Sequence, residues 1–448
     1  NNIIEPLNSS DDDIKELFDE QILAADELTY RNGTIFDEIY HARSAYEFNN
    51  GLYCYEWTHQ PLGKVFISLG MKIFGTNPFG WRFAGTLFGI LMLPFMYVFG
   101  KKMFKSTFFA TVTCLFMAFD FMHFAQTRIA TIDVFVTFFV IAMYYFMYRY
   151  YQMSFYDNSL KKTFVPLALS GICMGLGCAS KWTGVYAGAG LGVIFFYTMY
   201  KRYREYRYAL QTPDESSHGI KHLVIINKFV RNFWLTIAFC VVFFVIVPGI
   251  IYTLSYIPFV GNDESPTSLI GRMIYNQSQM FNYHKDCIFD HPYSSRWYEW
   301  ALMLKPILYY SGTTPAGKLE RISSFGNPLL WWVGIGAFIY MIYKVKKYKD
   351  KTALFLVIGY LSQMFPWTLV VRTTFIYHYF TSVPFVLLMD AYCTYCLLKR
   401  DKKNIKIILL YVILVGLAFV VFYPALSGAP MSEFYDHNIL RWISGWYV

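Results

Sequence analysis

Ten apolar segments decide what this chain can fold into. They cover residues 81–100, 107–122, 133–150, 164–180, 183–200, 232–256, 327–343, 353–371, 375–398 and 405–423. A helical membrane span needs about 20 mainly apolar residues. Every backbone amide in lipid needs an internal partner, and these runs lack the alternation of strands, so they read as helices. The balance of residue types agrees: 56% are hydrophobic and 15% charged, against about a quarter charged in soluble domains. The expectation is an all-α polytopic membrane protein with about ten transmembrane helices.

The charges between the segments orient them. The stretches 101–106, 149–162, 201–231, 344–351 and 399–406 hold 23 of the 39 Lys and Arg residues but only six acids. All five fall on one side if each segment crosses once, and the positive-inside rule makes that side cytoplasmic. The domain reading is an extracytoplasmic loop at 1–80, spans over 81–256, an extracytoplasmic loop at 257–326, spans over 327–424 and an outer tail at 425–448. The localisation that follows is the cytoplasmic membrane, multi-pass. The +9 charge reads as topology and contact with anionic membrane lipids, with no nucleic-acid partner. The opening is acidic (Asp11-Asp12-Asp13, Glu16, Asp19) and must already lie outside. A further span upstream in the natural protein is therefore expected.

The eight cysteines form no framework. Cys393 and Cys396 are one turn apart on a membrane helix, without the other half of a zinc site. No Walker, Rossmann or zincin motif is present.

The outward turns carry the chemistry. They hold Asp37, Glu38 and His41; then Glu56, His59 and Lys64; then His123, Arg128 and Asp133. Lys181 and Trp182, His284 and His291, and Arg372, His378 and Tyr379 follow. Ionisable groups at membrane depth are costly and usually mark a site or a pair. Each has a plain reading: Arg128 can pair with Asp133, Lys181 can snorkel to headgroups, and Asp37-Glu38 can favour a helix dipole. Their gathering on one face, from five segments, supports a site. Sugar transfer from a lipid phosphate fits it. Arg128, Lys181 or Arg372 can hold the anionic phosphate, and a carboxylate can take the proton of an acceptor hydroxyl. No ligand spacing is diagnostic of a metal, so a divalent metal stays open.

The motifs Phe36-Asp37-Glu38-Ile39-Tyr40-His41 and Thr58-His59-Gln60-Pro61-Leu62-Gly63-Lys64 resemble the first-loop signature of the protein O-mannosyltransferases. Those are GT-C fold enzymes of glycosyltransferase family 39. The resemblance continues through Gln126-Thr127-Arg128-Ile129-Ala130-Thr131-Ile132-Asp133, Ser180-Lys181-Trp182-Thr183-Gly184, His291-Pro292-Tyr293 to Trp300, and Tyr377-His378-Tyr379. It is closest to the bacterial branch, because 257–326 is too short for the MIR domain of the eukaryotic enzymes. It implies an inverting transfer of mannose from a polyprenyl-phosphate-mannose donor to Ser or Thr hydroxyls of an acceptor protein, outside the cell. By the match, Asp37 is the general base and Glu38 assists it or binds a metal. Arg128, Lys181 and Arg372 hold the phosphate. His41, His59, Lys64, Asp133, Trp182, His291, His378 and Tyr379 line the pocket. Gln60 departs from the family's His-Pro-Pro and restores a backbone N–H.

Two rivals remain at this level. One is transfer of the sugar to a lipid or cell-wall glycan, and the other is a transporter or flippase. A transporter should hold charges near the midplane. Here Asp120 and Asp390 are the only acids well within segments, which favours an enzyme.

Overall fold

Each apolar segment is helical in the computed structural model, which describes residues 28–212 and 219–446. The acidic opening at 1–27 and part of the basic 201–231 stretch lie outside the described residues. The chain order is α1 (Glu38–Asn50), α2 (Pro61–Phe74), α3 (Pro78–Phe104), α4 (Thr107–Ala118), α5 (Phe121–Gln126), α6 (Asp133–Tyr151), α7 (Leu160–Ser180) and α8 (Thr183–Gln211). Then come α9 (Gly219–Val241), α10 (Val247–Leu254), α11 (Leu269–Asp286) and α12 (Trp297–Trp300). A hairpin of β1 (Ile307–Thr313) and β2 (Leu319–Ser324) precedes α13 (Pro328–Tyr348), α14 (Lys351–Met364), α15 (Val383–Arg400) and α16 (Ile405–Ser427).

Local chemistry sets the helix ends. Asn77 accepts from the Gly80 amide ahead of Pro78, and α3 stops where Lys105 turns left-handed at φ 53°. Asn327 and Asp350 cap α13 and α14 in the same manner. Such side-chain oxygens satisfy amides that have no partner inside the helix.

Among the described residues, seven helical stretches are long and apolar enough to cross a membrane: Pro78–Phe104, Asp133–Tyr151, Leu160–Ser180, His222–Leu254, Pro328–Tyr348, Lys351–Leu369 and Lys402–Ser427. The expected span at 107–122 is divided. Asp120 caps α5 by accepting from the His123 amide at 2.9 Å, which leaves α4 with 12 residues. At about 1.5 Å per residue, α4 is shorter than the hydrocarbon core. The other two expected spans form α8 and α15.

α6 is the axis of the bundle: 83% of its apolar window is buried, against 11% for His222–Leu254. The latter exposes Trp234, Val245, Ile250 and Leu254, an apolar face suited to lipid. The 1–80 and 257–326 stretches hold more structure than their loop reading implies. The first contains α1 and α2. The second contains α11 and the antiparallel hairpin, in which Ile307 pairs with Ser324 and Thr313 with Leu319.

Candidate active site

The site begins with a kink. Phe36 has a left-handed backbone, φ 51°, which is uncommon for a residue bearing a Cβ. Its ring packs on Tyr309 of β1 at 4.4 Å and on Tyr377 at 5.9 Å between centroids. The kink puts Asp37 at the position that normally caps a helix, yet its side chain makes no cap bond to α1. The Asp37 carboxylate faces other charges instead. Burial pushes it up to about 7; Lys181 works in the opposite sense, while Asp133 and Glu56 add to the rise.

Lys181 follows the end of α7 and Asp133 starts α6. The Lys181 Nζ donates to Asp133 Oδ1 at 2.7 Å, with both side chains nearly buried. It also sits 5.4 Å from the centre of the Tyr377 ring. Asp133 is therefore engaged with Lys181, and the plain Arg128–Asp133 pair is not formed. Arg128 turns to the end of α16, donating to the Leu426 carbonyl at 2.9 Å and lying 5.1 Å over Phe124.

A second carboxylate organises the histidines. Glu56 forms a buried ion pair with Lys64 and accepts from the Thr58 amide at 2.9 Å. His59 Nδ1 is 3.0 Å from its Oε1, and His41 Nδ1 is 4.0 Å from its Oε2. Burial opposes the Glu56 charge, but Lys64 and His59 hold the carboxyl well below its ordinary range. Burial lowers His41 to about 3 and His284 to about 4, and it lowers His59 as well. These rings are neutral imidazoles near pH 7, able to hydrogen-bond but carrying no charge.

A cavity of about 460 Å³ opens beside this cluster, lined by His59, Lys181, Trp182, His284 and Arg372 together with apolar Phe281, Leu369 and Val371. Phe281, Leu369 and Val371 are exposed, so its rim is apolar while its floor is basic. Trp182 is fixed by donating from Nε1 to Gln277 at 3.2 Å. The Arg372 guanidinium lies 3.4 Å from His378 Nε2. The Phe375 backbone holds His378 Nδ1, and Tyr377 stacks on its ring at 4.6 Å. Arg372 also lines a neighbouring cavity of about 590 Å³ with Arg296, Glu299, Trp300, Lys305 and Trp367.

Two expected pocket residues, Tyr379 and His291, and the expected catalytic partner Glu38 stand apart. Tyr379 points into the helix bundle, where its hydroxyl meets Tyr360 at 3.0 Å and its ring meets Trp331 at 4.7 Å. His291 packs on Phe375 at 5.0 Å, at the outer edge. Its segment bolts the Arg372 turn in place: the Ser295 amide donates to the Thr374 carbonyl at 2.9 Å, and Thr374 Oγ1 donates to the Ser295 carbonyl at 2.7 Å. Glu38 is fully buried. It accepts from Arg82 Nε at 2.7 Å and Nη2 at 2.6 Å, and from the Ile35 and Ala130 amides at 2.9 and 2.8 Å. Four donors use the lone pairs of a carboxylate. Glu38 is thus the rivet that ties the Asp37 turn to α3 and to the 126–133 turn. Among the described residues no group of three His, Cys, Asp or Glu side chains gathers as a metal site would.

Sequence reasoning misses Arg82 and Tyr309. An arginine beside Trp81 at the start of a span looks like an interfacial anchor. Tyr309 is one of 38 tyrosines, brought to the site by a hairpin that no local signal announced; its hydroxyl accepts from Gln126 Nε2 at 2.8 Å.

Comparisons with known proteins show the family and the fold. The dolichyl-phosphate-mannose-protein mannosyltransferase family profile matches residues 22–259, more than half of the chain, and the C-terminal four TMM region of protein-O-mannosyltransferase matches 269–446. The polyprenol-phosphate-mannose–protein mannosyltransferase of Mycobacterium tuberculosis is 23% identical, covering 94% of this chain and 88% of its own length. The protein of the same name from Corynebacterium glutamicum is 23% identical over 87% of this chain and 81% of its own. The Saccharomyces cerevisiae protein O-mannosyltransferase Pmt1-Pmt2 complex bound to the sugar donor superposes with a TM-score of 0.75 at 12% identity, over 96% of this chain and 91% of that one. ArnT from Cupriavidus metallidurans bound to undecaprenyl phosphate gives 0.52 at 16% identity, over 92% and 71%. At such identities the structural likeness speaks for the fold, and it is the GT-C fold. This multi-pass membrane protein belongs to the dolichyl-phosphate-mannose–protein mannosyltransferase family.

Proposed function

We propose that this chain transfers mannose from a polyprenyl-phosphate-mannose donor to Ser or Thr hydroxyls of an acceptor protein, with inversion at the sugar carbon. The observation that carries the proposal is the Asp37 carboxylate, uncommitted to its helix and raised to about 7, beside a basic cavity with an apolar rim. Asp37 accepts the acceptor hydroxyl proton as the oxygen attacks the anomeric carbon. The bond to the phosphate breaks on the opposite face, and the phosphate leaves with the electron pair. Lys181 and Arg372 hold that growing charge, Lys181 as a compact cation fixed by Asp133 and Arg372 as a planar fork. The prenyl chain runs out past Phe281, Leu369 and Val371. Glu38 is a positioning residue, because its two oxygens are already engaged by Arg82 and two backbone amides; Arg128 commits Nη1 to the Leu426 carbonyl and is a further candidate for the donor phosphate. The site faces the extracytoplasmic side of the cytoplasmic membrane, a reading supported by the basic turns at the opposite helix ends.

Product analysis tests the proposal. Purified protein is incubated with labelled polyprenyl-phosphate mannose and a Ser/Thr peptide. Label should appear on the peptide as an α-linked or β-linked mannoside of opposite configuration to the donor. Retained configuration, or label only on lipid or glycan acceptors, would overturn it.

A further inference from the structure

A second basic cavity lies at the other end of the bundle. It measures about 570 Å³ and is lined by Lys102, Lys105, Arg149, Lys201 and Lys351, with Tyr148 and Tyr151 between them. It shares no residue with the Asp37 site. α6 runs from Asp133 in that site to Tyr151 in this cavity, 19 residues or about 28 Å. α8 likewise starts beside Lys181 and carries Lys201.

The five cations arrive from the end of α3, the end of α6, the middle of α8 and the start of α14. No acid lines the cavity. Asp350 and Glu205, which neighbour the lining, are engaged with other groups, and Asp157, next to Asn158, has an interaction of its own. Asp350 accepts from the Thr352 and Ala353 amides at 3.0 Å each, takes the Tyr392 hydroxyl and lies 3.7 Å from Lys344. Glu205 accepts from Ser154 at 2.8 Å. Lys201 is held inward: its Nζ donates to the Tyr151 carbonyl at 3.2 Å and lies 4.4 Å over the Tyr151 ring. Arg149 lies 6.0 Å over the Tyr145 ring. Basic residues placed merely for orientation can splay into water. Five converging on one concave wall focus a positive field, and the volume suits a small ligand.

We propose that this cavity binds an anionic phosphoryl group, supplied either as the headgroup of an anionic phospholipid in that leaflet or as a soluble phosphate. Arg149 offers parallel donors to two phosphate oxygens, and the lysines add point charge.

Native mass spectrometry of the purified full chain tests this, with dioctanoyl phosphatidylglycerol, dioctanoyl phosphatidylcholine and inorganic pyrophosphate as probes. Wild type should retain phosphatidylglycerol or pyrophosphate over phosphatidylcholine by about ten-fold or more. Retention of phosphatidylglycerol but not pyrophosphate assigns a lipid headgroup, and the reverse assigns a soluble phosphate. Arg149→Gln with Lys201→Gln should abolish the preference. The exposed pair Lys102→Gln and Lys105→Gln should weaken it in a chain whose half-buried residues are untouched. Lys402→Gln with Lys403→Gln, outside the cavity, should leave it unchanged. Equal retention of the two lipids with no pyrophosphate bound, or unaltered preference in both cavity variants, would refute the proposal.

Discussion

Acidifying the assay from pH 7 to pH 5 should slow peptide mannosylation steeply. A carboxylate base works only when ionised. With Asp37 raised to about 7, about half of it is ionised at pH 7, a tenth at pH 6 and a hundredth at pH 5. The rate kcat/KM should fall about ten-fold for each pH unit below 7. An ordinary aspartate, near 3.8, would leave the profile flat over that interval. Two of the neighbouring imidazoles do not supply the limb, because His41 at about 3 and His284 at about 4 stay neutral throughout. Asp133→Asn provides an internal check. It removes a negative charge that raises Asp37, so the limb should move to lower pH. Stability runs the other way. The folded chain keeps the Asp37 proton to higher pH than the unfolded chain does. Its contribution to folding is therefore present below about pH 4 and lost as pH rises through about 7. Asp37→Asn should thus be at least as thermostable as wild type at pH 8 while losing about 10²–10⁴ in rate. The assay is initial-rate kinetics of purified protein with synthetic donor and peptide from pH 5 to 8.5. A flat profile between pH 5 and 7, or near-normal turnover by the Asn variant, would refute the assignment of Asp37 as base.

Arg372→Gln should raise the donor KM by about ten-fold or more, with acceptor KM and Tm little changed, since the side chain is half-exposed and lost charge-assisted bonds cost about 1.5–3 kcal/mol; an unchanged donor KM would remove Arg372 from phosphate binding. Glu38→Gln should destabilise the fold by about 3–5 kcal/mol, because it leaves Arg82 without its buried counter-charge, and thermal melting in detergent would show this as a large drop in Tm. Gly63→Ala should cost about 1–3 kcal/mol by overpacking, since a Cβ there would sit 2.7 Å from Ile132 Cγ2, next to Asp133; a melting curve like that of wild type would show that α2 and α6 can part without strain.

The sequence by itself determined the class. Ten apolar segments are a one-dimensional property, and lipid leaves helix as the only economical answer for each. The caps were equally local: Asn77, Asn327 and Asp350 act within a few residues of themselves. The short-range motifs around Asp37, His59, Lys181 and His378 marked turns that the fold brings together, because each turn carries several polar groups that a lipid-facing segment would not tolerate. Tertiary structure alone decided the partners. Asp133 has Arg128 five residues away in sequence, yet it pairs with Lys181, 48 residues distant, because α6 and α7 pack side by side and both start or end at the same level. Glu38 reads as a second catalytic acid beside Asp37, but adjacent residues at a helix start point in different directions, and the fold delivers Arg82 and the Ala130 amide to it. Tyr309 reaches the site only through a hairpin whose register is set by long-range pairing. Which side chains meet depends on how helices cross and how strands register, and those are sums of contacts between residues far apart in the chain.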